Sequence, residues 1–155
     1  MRGKTSIIVF AIVAIAIGIL IFAYTTKTAA SVVPFTPIAH GEESSMNRRV
    51  NYRITSASQL SELWKTLNAT GTPPVVDFKT HDVLAVFAGP ESCTKIAVAK
   101  IEDTNKRMIS ITVAKPDYTC DTKPSATSPY EIVVVPTTSL PLTHQDLLAT
   151  ADCPN

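Results

Sequence analysis

The chain has 155 residues, and its 14 lysines and arginines nearly balance its 13 aspartates and glutamates. The basic residues are scattered, apart from the pair Arg48–Arg49, and no aromatic residues alternate with them. This charge pattern excludes a nucleic-acid-binding surface. Behind an apolar N-terminal segment about 120 residues remain, which is enough for one domain with a single core.

The N-terminal segment has the composition of a membrane-spanning helix. No polar residue occurs from Ile7 to Ala23, and a helix over this run would be roughly 28 Å long, about the thickness of a bilayer core. Arg2 and Lys4 precede the run, whereas only Lys27 follows it closely. This asymmetry favours an N-terminus in the cytoplasm and a C-terminal part outside it.

These features divide the chain into four parts. We predict a cytoplasmic tail at 1–5, a transmembrane signal-anchor at 6–25, a tether at 26–34 and an extracytoplasmic domain at 35–153. An alternative remains open, because small residues near Ala30 could form a signal-peptide cleavage site that would release the domain.

Two strands open the predicted domain. The stretch 35–40 is a brief strand that ends at a turn on Gly41. In the following "RRVNYRITS", Val50, Tyr52 and Ile54 fall on one face and polar residues on the other. This period of two indicates a half-buried strand.

A helix follows, and its first residues match a capping box. Ser56 can accept a hydrogen bond from the third helical amide while Gln59 reaches back to the cap. The prolines of "GTPP" at 71–74 end the helix. Because Trp64 lies on the apolar stripe, we assign it to the core rather than to a ligand platform. The stripe consists of Leu60, Leu63, Trp64 and Leu67.

The rest of the domain is predicted to be a β-meander. "DVLAVFAG" is apolar nearly throughout, which is typical of a central strand. "TKIAVAKIE" and "RMISITVAK" form a hairpin about the turn "DTNK" at 103–106, with Ile109 and Ile111 facing inward. "YEIVVVP" is the last predicted strand, and "THQDLLATA" is predicted to be a short C-terminal helix capped by Thr143.

Together these elements predict an α+β fold. About six strands, one amphipathic helix and the short C-terminal helix would form a small, antiparallel, β-rich domain that resembles a sandwich.

The three cysteines are Cys93, Cys120 and Cys153, so none lies near enough to the N-terminus for lipidation. Disulfides persist outside the cytoplasm, and the predicted hairpin places position 93 opposite roughly 116. We therefore predict a Cys93–Cys120 disulfide, which would close a loop of about 28 residues and stabilise the domain by about 3–4 kcal/mol. A pairing with Cys153 and three free thiols are the open alternatives.

Other chemistry has little support in the sequence. A catalytic cysteine or serine needs a base and an orienting group nearby, and His40, His81 and His144 occur in unrelated segments. No C-x-x-C pair suggests zinc, and Asp117 and Asp121 alone make a poor calcium site. We therefore expect no cofactor, no metal and no enzymatic activity.

The loops 89–94 and 116–129 are the predicted interaction surface, because loops on a rigid scaffold commonly carry recognition. Tyr118 is either an interface anchor or a residue packed against the disulfide. Asn68 begins the N-glycosylation triplet "NAT". The predicted surface consists of Pro90, Glu91, Ser92, Asp117, Tyr118 and Asp121.

Four motifs resemble the C-terminal domain of the PrcB family, subunits of protease complexes in bacterial cell envelopes. They are "ITSASQLSELW", "PPVVDF", "DVLAVFAGP" and "TSPYEIVVVP", and the resemblance covers about residues 35–137. It implies a small extracytoplasmic domain that associates with other proteins, possible partners including a protease. In place of the family's Thr-Gly-Gly-Tyr-type turn this chain has "PESCT", which argues against direct protease inhibition.

The leading functional hypothesis is thus a membrane-anchored, extracytoplasmic protein-binding module. It would serve as an accessory or stabilising subunit of an envelope protease complex. A protease-inhibitor-like domain, a purely structural envelope protein and, least favoured, an enzyme are the alternatives.

Overall fold

The computed structural model describes residues 29–67, 69, 71–90, 95–116 and 128–151. Its elements, in chain order, are β1 (Ser31–Val32), β2 (Thr36–Gly41), β3 (Val50–Ile54), α1 (Ala57–Thr66), β4 (His81–Phe87), β5 (Lys95–Asp103), β6 (Arg107–Pro116), β7 (Tyr130–Pro136) and β8 (Leu142–Ala151).

The strands form two four-stranded sheets. Sheet A has the order β1-β5-β6-β8, and sheet B has the order β2-β7-β4-β3. All neighbouring strands are antiparallel except β6 and β8, which are parallel. The prediction of a small, mostly antiparallel, β-rich domain with an amphipathic helix is confirmed.

Two apolar clusters hold three layers together. The first lies between the two sheets, where the inward side chains of β5 and β6 meet those of β4 and β7. The second lies on the opposite face of sheet B, which α1 covers. Strand β4 contributes to both clusters, so its residues Val83 to Phe87 are fully buried. This explains its continuous apolar sequence and confirms its predicted central position.

The helix begins where the capping pattern predicts. Ser56 is the N-cap, and its hydroxyl accepts a hydrogen bond from the amide of Gln59. The side chain of Gln59 reaches back to the amide of Thr55 at 2.8 Å, one residue before the predicted donor. Leu60 and Leu63 are buried against sheet B, and each contributes about 1.5–3 kcal/mol by leaving water. Trp64 packs against the same cluster and is partly buried.

The hairpin of β5 and β6 forms about the predicted turn, with Asp103 opposite Arg107 and Lys95 opposite Ala114. A β-bulge between Val98 and Lys100 shifts the register by one residue. The bulge explains the imperfect alternation of the β5 sequence, because the extra residue returns Ile101 to the inward face.

Two predictions at the C-terminal end are wrong. "YEIVVVP" is not the last strand, and "THQDLLATA" is not a helix capped by Thr143 but part of the ten-residue strand β8. Thr143 pairs with Met108 in a parallel ladder along β6. A short isolated helix is marginal in water, whereas this ladder satisfies the backbone groups that β8 directs toward β6 along the whole strand.

Several predictions fall on residues outside the described ranges. They include the cytoplasmic tail 1–5, the transmembrane segment 6–25, the glycosylation site Asn68, the Cys93–Cys120 disulfide and the state of Cys153. In the part of the chain that the structure does describe, no helix is both long and apolar enough to cross a bilayer.

Candidate functional site

The two ends of the sandwich differ in what they carry, and we name them the top and the base. At the top, β4 ends at Phe87 and β7 begins opposite it at Tyr130. The top of sheet A is the pair Lys95–Ala114, where β5 begins and β6 ends. At the base lie the hairpin turn between β5 and β6, the start of β4 and the end of β7.

A contact between the sheets shows that the two tops coincide. Glu131, the second residue of β7, accepts a hydrogen bond with its carboxylate from the backbone N–H of Val98 in β5. Val98 is the residue at which the β5 bulge begins. The carboxylate therefore binds a backbone amide on the edge of β5 that the two-residue strand β1 is too short to pair.

The predicted interaction loops are attached at this top. Pro90, the one residue of the predicted surface that the structure describes, is exposed immediately after β4. The flanking residues Lys95, Pro116 and Ser128 also lie at strand ends of the top. The other predicted residues lie outside the described ranges: Glu91, Ser92, Cys93, Asp117, Tyr118, Cys120 and Asp121.

The segment before β3 closes tightly over the top. Gly89 has a φ of +75°, and a Cβ at this position would lie 2.5 Å from the backbone carbon of Arg48. Only glycine allows both this backbone conformation and this approach. On the other side of the top, the hydroxyl of Ser128 donates a 2.8 Å hydrogen bond to the carbonyl of Met46 and contacts the hydroxyl of Ser44 at 2.9 Å.

Arg49 connects this segment to both sheets. Its Nη1 donates to the carbonyl of Phe87 at 3.0 Å and to Oδ1 of Asn51 at 2.5 Å. Its Nε and Nη2 donate to the two carboxylate oxygens of Asp146 in β8, at 3.2 and 2.6 Å. A bidentate pair of this kind fixes geometry as well as charge, so Arg49 links the segment before β3 to β8 in a defined orientation.

Two further arginines, Arg53 and Arg107, fasten the base. Arg107 is almost fully buried, donates two 2.8 Å hydrogen bonds to the carboxylate of Asp103 and donates to the carbonyl of Pro136 at 2.6 Å. Arg53 donates to the carbonyls of Thr138 and Leu140 at 3.2 and 2.8 Å. Both side chains therefore hold the 136–141 segment, which carries the chain from sheet B to sheet A.

Asp82 is the buried acid beside Arg53. Its Oδ1 accepts a 2.9 Å hydrogen bond from the hydroxyl of Thr137, while its Oδ2 lies 3.9 Å from the Nε of Arg53. That separation is too long for a hydrogen bond, so the two atoms attract each other only as charges. The arrangement belongs to the scaffold of the base.

A shallow apolar groove of about 290 Å³ lies on the helix-side face of sheet B. Val75 on its rim is fully exposed. Asp77 is held as an ionised carboxylate, because the backbone N–H of Lys79 and then the hydroxyl of Thr80 donate to it and lower its pKa. The groove is lined by Ile38, Pro74, Val75, Val76, Asp77, His81 and Val134.

The three histidines lie on different strands. His40 is opposite Glu131 near the top, and His81 is opposite Pro136 at the base of the same sheet. His144 lies in β8 of sheet A, opposite Ile109. Within the described ranges, no group of three histidine, cysteine or acidic residues is placed to bind a metal ion.

No family model, curated protein or solved structure matches the chain.

Sequence reasoning missed the arginine contacts. Arg49, Arg53 and Arg107 stand in the sequence as ordinary residues at or beside strand ends. Arg49 contacts Asp146, 97 residues later. Arg53 contacts Thr138, 85 residues later, and Arg107 contacts Pro136, 29 residues later. One local signal existed, since Asp103 and Arg107 flank the three residues of the hairpin turn.

Proposed function

We propose that the protein is a membrane-anchored, extracytoplasmic binding module that presents the top of its sandwich to another protein of the cell envelope. One observation carries this proposal: Ser31 of β1 pairs with Asp103, the last residue of β5. The chain that follows the proposed anchor therefore joins the domain at its base. The loops at 89–94 and 116–129 are attached at the opposite end.

The distance between these two ends supports the orientation. Strand β5 has nine residues from Lys95 at the top to Asp103 at the base, which corresponds to about 26 Å at the usual rise per residue. Only a few residues separate Ser31 from the end of the proposed anchor at residue 25. Strand β1 lies within the tether predicted at 26–34, so the shorter linker 26–30 would hold the base near the bilayer and direct the top toward the surrounding compartment.

The chemistry of the proposed surface is that of a protein contact. Tyr118 would supply an aromatic anchor, and Asp117 and Asp121 would surround it with negative charge. A disulfide between Cys93 and Cys120 would join the two loops and reduce the conformational entropy lost on binding. The motifs that resemble the PrcB family favour a protease complex of the envelope as the assembly in which this module serves.

The first experiment tests orientation and pairing on the full chain in its membrane. Peptide mapping without reduction should recover residues 93 and 120 in one cross-linked peptide pair. A membrane-impermeant thiol reagent should label a cysteine introduced at exposed Asn105 when it reaches the membrane from outside. It should not label this cysteine when it is applied from the cytoplasmic side. Three titratable thiols, or labelling from the cytoplasm, would contradict the proposal.

The second experiment tests the surface. Detergent-solubilised full chain should co-purify with a stoichiometric envelope protein, and Tyr118→Ala should reduce the recovered amount at least about tenfold if Tyr118 is a central anchor. Val75→Ala is the matched control, because Val75 is fully exposed but lies in the groove on sheet B. If both variants recover the same amount of the envelope protein, the loops are not part of the interface.

A further inference from the structure

Strand β8 forms an open edge of sheet A that has no role in the proposed loop surface. It pairs with β6 over ten consecutive residues, from Leu142 opposite Arg107 to Ala151 opposite Pro116, without a register shift. Among the described residues no strand pairs with its other side. A strand in this position presents a row of unpaired backbone N–H and C=O groups, which only another extended chain can satisfy in a regular ladder.

The other edges of the two sheets carry features that prevent pairing. Strand β1 has two residues, which is too short for a stable ladder. Strand β2 contains Pro37 and a β-bulge next to it, and both interrupt an edge. Strand β3 has five residues, and the side chain of Arg49 already donates to the carbonyl of Val50 at its start. Strand β8 is long, regular and free of proline within its span. Its Asp146 lies opposite the inward-facing Ile111, where a lone charge would oppose pairing, but the ion pair with Arg49 compensates this charge.

The side chains of β8 add an apolar pair to this edge. Leu147 is 43% exposed and Leu148 is 77% exposed. Leu147 is opposite Thr112 and Leu148 is opposite Val113, so the first points to the outer face of sheet A and the second to the inner face. A strand added beside β8 would cover both leucines with its own neighbouring side chains.

We propose that the open edge of β8 binds an extended segment of a partner protein, and that this segment carries two adjacent apolar residues opposite Leu147 and Leu148. The segment would become the fifth strand of sheet A. Backbone hydrogen bonds would supply affinity, and the two apolar contacts would supply selectivity.

The choice of a foreign segment over a second copy rests on the proposed function. Copies anchored in one membrane by their bases point in the same direction, so two β8 strands could meet only in parallel about a two-fold axis along the strands. That symmetry places each N–H opposite an N–H and each C=O opposite a C=O, which forbids a ladder. An antiparallel pair would need one base to lie about 26 Å away from its own membrane.

The test uses the full chain in detergent and a phage-displayed library of peptides of about ten residues, the length of β8. Selected peptides should share two adjacent apolar residues. Their affinity should fall at least about tenfold for the double variant Leu147→Lys with Leu148→Lys, because an edge lysine opposes pairing. The variant Val75→Lys, at a fully exposed apolar residue outside sheet A, should bind them as the wild type does.

Amide hydrogen exchange shows where a selected peptide lies. Binding should slow exchange at alternate amides of β8, since only every second residue directs its backbone groups to the open side. Circular dichroism establishes that the lysine variant remains folded, which its exposed positions favour. Selection of no such peptide, or affinity that is unchanged in the lysine variant, would overturn the inference.

A second copy would be revealed by a dimer of the full chain that dissociates in the lysine variant, and this outcome would also overturn the inference. The proposed function fails independently, through the thiol and labelling experiment. A domain labelled from the cytoplasm with β8-dependent peptide binding would refute the membrane orientation only. An extracytoplasmic domain without such binding would refute the role of β8 only.

Discussion

Arg49 of the segment before β3 and Asp146 of β8 form an ion pair that joins the two sheets at one side of the sandwich. The guanidinium donates to both carboxylate oxygens, and the shorter distance is 2.6 Å. The same guanidinium also donates to the carbonyl of Phe87 at the end of β4. One side chain thus ties an outer strand of sheet A to the centre of sheet B.

A double-mutant cycle measures this connection. We expect a coupling free energy of about 1 kcal/mol between Arg49→Ala and Asp146→Ala in urea unfolding, because the pair is bidentate and partly shielded from water. Added salt should reduce the coupling. Glu62 and Lys65 provide the control, because both side chains of this pair are more than 70% exposed and should show almost no coupling.

Because Arg107 is buried, we expect Asp103→Ala and Arg107→Met to lower the free energy of unfolding by different amounts. Asp103→Ala leaves a buried guanidinium without its carboxylate and should lower the free energy of unfolding by about 3 kcal/mol. Arg107→Met removes the buried charge and fills a similar volume, so it should cost clearly less. Chemical unfolding of both variants decides the order, and a larger loss for Arg107→Met would show that the carbonyl of Pro136 depends on the guanidinium.

Substitutions at two glycines with similar backbone conformations distinguish the cost of backbone strain from the cost of a steric clash. Gly71 and Gly89 have φ values of +83° and +75°, but a Cβ at Gly71 meets nothing within 4 Å. Gly71→Ala should therefore cost only about 1 kcal/mol, the penalty of the left-handed conformation. Gly89→Ala must also displace the backbone of Arg48, so its melting temperature should fall much further. Equal shifts would contradict the close contact at the top.

Asp77 makes stability depend on pH in the acid range. The amide of Lys79 and the hydroxyl of Thr80 donate to its carboxylate and hold its pKa below the ordinary value of 3.8. A lowered pKa in the folded state stabilises the protein above pH 3.8, and this contribution disappears as pH falls through the folded value. The difference in urea midpoint between wild type and Asp77→Asn should thus be constant near neutral pH and shrink below 3.8.

Carbon NMR of the Asp77 carboxyl group measures the same pKa directly. Thr80→Val removes the hydroxyl donor and leaves the amide of Lys79 in place, so it should raise the pKa part of the way toward its ordinary value. A carboxyl group that titrates at 3.8 in the wild type would contradict this explanation.

The local elements could be predicted because their signals lie within a few residues of one another. Ser56 and Gln59 indicate the start of α1, and the turn after Asp103 indicates the hairpin of β5 and β6. The uninterrupted apolar run of β4 indicates a strand that is covered on both faces. Each of these patterns is an energetic preference of the backbone or of side-chain burial, and the tertiary structure did not change it.

The segment from Thr143 to Thr150 shows where local patterns fail. Its adjacent leucines suit a short helix as well as a strand, and nothing within the segment decides between them. The decision comes from β6, which is more than thirty residues earlier and offers ten consecutive partners. Hydrogen bonds between distant strands are absent from any local pattern, so the sequence could not indicate the parallel edge that β8 forms.

The sequence by itself determined the position of the helix and of the central strand, and it predicts the anchor, which lies outside the described residues. Only the tertiary structure decided that Ser31 enters at the base, that Arg49 and Arg107 are bound by distant groups, and that β8 lies at an open edge. The physical reason is range: propensity and periodicity act between near neighbours, whereas sheet order and charge pairing depend on which distant residues the folded core brings together.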